Sequence, residues 1–134
     1  QRARARSICA EMHSGFTALR SACPMNIEAR LPTVGALVWR DKPGVRADVQ
    51  RLCSMWSELL RTHGGPMLFG EFTIADAYFA PICMRMQTYA LPLPADVAAY
   101  VGRVGALPGV HAWVSAALAE KDFLDFEEPY RCTP

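Results

Sequence analysis

The chain has 134 residues, 51% hydrophobic and 20% charged, with a formal net charge of +1. That length suits one domain spanning 1–134, large enough to bury roughly two thirds of its unfolded surface, and the composition excludes a disordered chain. The near-neutral balance excludes a bulk field drawing it to nucleic acid, and no apolar run approaches the roughly 20 residues a bilayer span needs.

The chain opens with Gln1 and goes straight into Arg2, Arg4 and Arg6 without a capping side chain. Cations are disfavoured at a helix N-terminus, so sequence is expected upstream; a basic nucleic-acid arm is the weaker alternative, because no aromatics interleave the arginines. Ile8, Met12, Phe16, Leu19 and Cys23 form the apolar stripe of one amphipathic helix, which Pro24 ends. Residues 24–44 hold three prolines and two glycines and are expected to form a long connection bordering a site. Val45, Val49, Leu52, Trp56, Leu59 and Leu60 mark a second helix closed by Gly64 and Gly65.

The third helix starts at Thr73-Ile-Ala-Asp76, a capping box in which each side chain can satisfy the other residue's amide. Between Thr73 and Ala90 only Asp76 and Arg85 are charged, so this helix is expected to be buried and central, bent at Pro81. Asp76 is therefore expected to be structural rather than catalytic. A shorter helix follows over about 95–106. A fifth begins at Pro108, with Val110, Trp113, Val114, Ala117 and Leu118 facing inward. No strand alternation is visible, and the predicted class is an all-α bundle of about five helices around a buried central one.

Five cysteines without paired spacing predict reduced thiols rather than disulfides or a zinc site. Cys9 and Cys53 have no activating neighbour in sequence, and Ser54 and Ser115 have no nucleophile elbow around them. His63 is placed to complement the end of the second helix, and no two histidines are spaced for a metal. No residue of the chain stands out as a catalytic group.

"GEFTIADAYFAPICMR" resembles the buried-helix signature of the C-terminal domain of cytosolic glutathione transferases, and "LPGVHAWVSAALAEK" fits the same pattern near the end. "AEMHSGF", residues 10–16, resembles the first-helix segment of bacterial beta-class members; a related bacterial branch fits as well. The resemblance implies that His13 lies beside the glutathione site and that Glu11 matches an acidic residue approaching glutathione across the dimer. Ser14 stands where that class has a glutathione-contacting lysine. Met12, Phe16 and Trp39 are candidates for an electrophile pocket or for the core, since flexible and flat side chains suit both. Phe123, Phe126 and Tyr130 either fold over that pocket or staple the terminus.

The family's thioredoxin-like half, which carries the activating Ser, Tyr or Cys, has no counterpart in this sequence. The resemblance thus implies the electrophile-binding, dimer-forming half of a cytoplasmic detoxification enzyme. Glutathione would be its co-substrate, held mainly by the other domain, with no metal. The chain alone is expected to be inactive. Similar helical domains serve as non-catalytic interaction modules on translation factors and aminoacyl-tRNA synthetases, which is the alternative.

Overall fold

The computed structural model describes residues 1–121 and 128–130; Phe123, Phe126 and Cys132 fall outside the described residues. Seven helices and no strands are present among them: α1 (Arg2–Ser14), α2 (Thr17–Ala22), α3 (Pro32–Asp41), α4 (Pro43–His63), α5 (Ile74–Thr88), α6 (Ala95–Gly105) and α7 (Pro108–Glu120). The predicted all-α class holds, with two more helices than expected.

The first correction concerns the helix expected to run from Ile8 through Cys23. It breaks at Gly15 and Phe16, where Phe16 takes a left-handed backbone (φ 56°, ψ 37°). That conformation costs an L-residue about 1–2 kcal/mol. Burial of the Phe16 ring, 6% exposed in the core, offsets it, at about 1.5–3 kcal/mol for such a side chain. α2 has no capping side chain of its own. Instead Asp48, on α4, accepts from the Leu19 amide at 2.9 Å and caps it from 29 positions away. Arg20 reaches back to the His13 carbonyl (2.9 Å) and closes the end of α1.

The second correction concerns residues 24–44, which contain a helix rather than only a connection. Pro32 occupies the first turn of α3, where its missing amide costs nothing, and the Leu31 amide is tied to the Thr88 carbonyl (2.7 Å). Gly35 is not a breaker here. It lets α3 pass against the end of α5, where a Cβ would sit 1.7 Å from the Tyr89 carbonyl oxygen.

α4 packs against α2, α3 and α6, while α5 packs against α6 and α1. Between them Trp56 is fully buried, with Phe79 and Tyr100 meeting it edge-on at centroid distances of 5.3 and 5.2 Å. α5 runs unbroken through Pro81 and buries nine of its 15 residues. It is central, yet not enclosed: Ile74, Ala77 and Tyr78 on its first turns are exposed. α7 is the third correction. None of its residues is buried; Val110, Val114 and Ala117 are half-buried, whereas Trp113 and Leu118 are exposed. Its helical period is real, but only α6 packs against it appreciably, so one flank of its apolar stripe stays uncovered.

The last described residue, Tyr130, is exposed but lies against α2 and the end of α5. Tyr130 donates to the Ala22 carbonyl (2.8 Å) and meets the Tyr89 ring edge-on. No helix among the described residues is long and apolar enough to cross a membrane.

Candidate functional site

Asp76 heads α5 and is completely buried. Its Oδ2 accepts from the Thr73 amide (2.8 Å) and the Thr73 hydroxyl (3.2 Å); its Oδ1 accepts from the Leu68 amide (3.2 Å) and the Tyr100 hydroxyl (3.1 Å). The Thr73 hydroxyl in turn accepts from the Ala75 amide, and the reciprocal capping box is present. Burial, then the nearby Cys83 and Asp76, push the Tyr100 hydroxyl far above its ordinary range, so it stays a proton donor. Every contact of Asp76 is to the fold itself, joining the 64–73 loop, α5 and α6. Both carboxylate oxygens are thus occupied by hydrogen bonds that hold these elements together.

The open surface lies beside it. A groove of about 610 Å³ runs between α1 and the exposed start of α5. Arg2, Ala5, Arg6, Cys9, Ala10 and His13 line it from α1, and Ile74 and Tyr78 line it from α5. The volume falls within the range of small-molecule sites. No carboxylate is among its lining residues in the described part of the chain. Arg4 points away, to Glu58 at 3.6 Å, and Arg51 grips Glu11 in a bidentate pair at 2.7 and 2.9 Å. Arg2 and Arg6 have no ion-pair partner among the described residues.

The sequence-predicted residues divide accordingly. His13 is exposed in the last turn of α1 and forms one end of the groove's lining. Ser14 is exposed and back-bonds to the Ala10 carbonyl (2.9 Å). Glu11 is taken up by Arg51 across to α4. Met12, Phe16 and Trp39 do not line the groove: Phe16 is core, while Met12 and Trp39 are half-buried against that core. Nor does any residue of 24–44 border it. All three side chains pack in or against the core.

Arg2, Arg6, Cys9 and His13 were legible as one stripe, at i, i+4, i+7 and i+11, along α1. Ile74 and Tyr78 were not legible, because the run they sit in reads as buried throughout. The Cys9 thiol is pushed up, first by burial and then by Asp76, so it is a poor nucleophile at neutral pH. Burial likewise raises Cys23 and Cys53 to about 11.

A second, wholly apolar groove of about 600 Å³ opens on the other side of α5, between Ala77 and Pro81 and the start of α7 at Pro108, Val110 and Trp113. Phe72 (56% exposed), Ile74 (65%) and Trp113 (42%) stand around the two grooves. Such a cluster is more apolar surface than scattered exposed side chains explain. No group of three or more His, Cys, Asp or Glu is placed to hold a metal among the described residues.

The Glu11–Arg51 pair gives one pH expectation. The hydrogen bond from Arg51, chiefly, holds the Glu11 carboxyl below its ordinary range. A lowered folded value stabilises above the unfolded carboxyl range and is lost as pH falls through the folded one. Because both side chains are partly exposed, Glu11→Gln should cost at most about 1 kcal/mol at pH 7. Thermal melts should show that difference vanish in acid, below pH of about 4. A difference undiminished there would remove the ion pair as its cause.

None of the curated proteins matches this sequence. A family profile described as "Glutathione S-transferase, C-terminal domain" matches residues 3–116, which takes in every helix from α1 to most of α7. The chain belongs to the glutathione S-transferase C-terminal domain family.

Proposed function

We propose that the chain is the electrophile-binding and dimer-forming half of a cytoplasmic glutathione transferase that conjugates glutathione to apolar electrophiles. The carrying observation is the α1–α5 groove, apolar along its floor and bounded by His13, in a chain of this family. The exposed Phe72, Ile74, Tyr78 and Trp113 support it, since they offer a face against which a thioredoxin-like domain would pack. In this reading His13 orients the thiol of glutathione from one side, and Glu11 and Ser14 lie near the tripeptide. The thiolate is generated by a group on the other domain. The reading places a second copy of this chain against it as a homodimer.

The division of labour sets the test. An unperturbed thiol titrates near ~8.5, and no group lining the groove lowers it by a hydrogen bond and a peptide cradle together. The 134-residue chain should show no turnover above background with glutathione and a chloronitrobenzene. Joined to a thioredoxin-like glutathione-binding domain upstream of Gln1, it should become active. His13→Ala should then lower the rate by about 10–100-fold, the low end of general acid–base effects. Saturable turnover by the isolated chain would sink the division of labour. An inactive longer protein carrying a different upstream domain would point to an interaction module instead.

A further inference from the structure

The groove carries more than an apolar wall. Arg2, Arg6 and His13 share one face of α1, and successive positions rise by about 1.5 Å, so Arg6 and His13 stand about 10 Å apart along it. Ile74 and Tyr78 face them across an apolar floor. Two arginines one helical turn apart, neither paired with a carboxylate among the described residues, make one end of the groove cationic. Arg4 and Arg51, by contrast, are taken up by Glu58 and Glu11 across the α1–α4 contact, away from the groove. A neutral apolar electrophile makes no use of this. An acid does, because a carboxylate or sulfonate accepts charge-assisted hydrogen bonds from a guanidinium fork.

The geometry points to an electrophile that is itself an acid: an aryl or alkyl body carrying a carboxylate or sulfonate about 10 Å from its reacting carbon. Arg2 and Arg6 hold the anionic group, Ile74 and Tyr78 hold the body, and the reacting end lies at His13. Arg2 and Arg6 are then specificity-determining residues, setting which electrophiles lodge rather than how the thiolate is made. This rests on the transferase reading for the word electrophile; the binding preference itself does not.

The test compares 2-naphthaleneacetate with its neutral twin 2-naphthaleneacetamide, titrated into the 134-residue chain at low ionic strength and followed by backbone amide NMR shifts. The acid should bind about five-fold tighter, the size of a partly exposed charge-assisted contact, with shifts confined to α1 and the first turns of α5. The gap should close at about 0.5 M salt, where exposed charges are screened. It should also close in Arg2→Gln/Arg6→Gln and persist in Arg2→Lys/Arg6→Lys; both positions are exposed, so neither pair disturbs the core. Equal binding of acid and amide, no binding of either, or a preference surviving the glutamine pair would overturn the proposal. Neither probe reacts and no glutathione is present. A failed conjugation assay thus leaves this result standing, and a failed preference leaves conjugation untouched.

Discussion

Asp76→Ala should cost the protein about 4 kcal/mol of unfolding free energy. The Leu68 amide and the Tyr100 hydroxyl lose their acceptor in a buried place, at about 1–3 kcal/mol each. The cap of α5 loses its reciprocal half, at about 1 kcal/mol more. Since ordinary domains hold only about 5–15 kcal/mol in all, the variant should be marginal at physiological temperature. Thr73→Ala should cost only about 1 kcal/mol, because it removes one acceptor and one donor at a half-buried site. Equilibrium denaturation in urea measures both. An Asp76→Ala protein of unchanged midpoint that no longer bound groove ligands would move this carboxylate from architecture to chemistry.

Gly35→Ala should be nearly as damaging, against the ordinary trend. Alanine inside a helix normally stabilises by about 1 kcal/mol relative to glycine. At Gly35 the new methyl carbon would lie 1.7 Å from the Tyr89 carbonyl oxygen and 2.7 Å from its carbon. Backbone cannot give way as a flexible side chain can, so α3 must lift from the end of α5. That shift strains the Leu31–Thr88 hydrogen bond beside it, and overpacking of this kind costs about 3 kcal/mol. Gly102, inside α6 with nothing within 4 Å of its would-be Cβ, is the control and should gain up to about 1 kcal/mol on the same substitution. Denaturation midpoints moving in opposite directions would confirm the contact; a stabilised Gly35→Ala would refute it.

These two sites also divide what was readable from the sequence from what was not. The sequence by itself determined every feature written in a local period or a local pair. The α4 stripe, the α5 capping box with its buried run, and the Gly64 stop all follow from the chemistry of residues within one or two turns. Only the tertiary structure decided where a local signal is overruled by a distant partner. Phe16 breaks its helix because the core accepts its ring and because Asp48, on another helix, supplies the missing cap. Gly35 looks like a breaker until the Tyr89 carbonyl stands against it. Trp113 follows an inward period yet is 42% exposed, while Ile74 and Tyr78 surface from a run that reads as core. Burial belongs to pairs of elements, and no single helix's sequence states which neighbour will cover it, or whether one will.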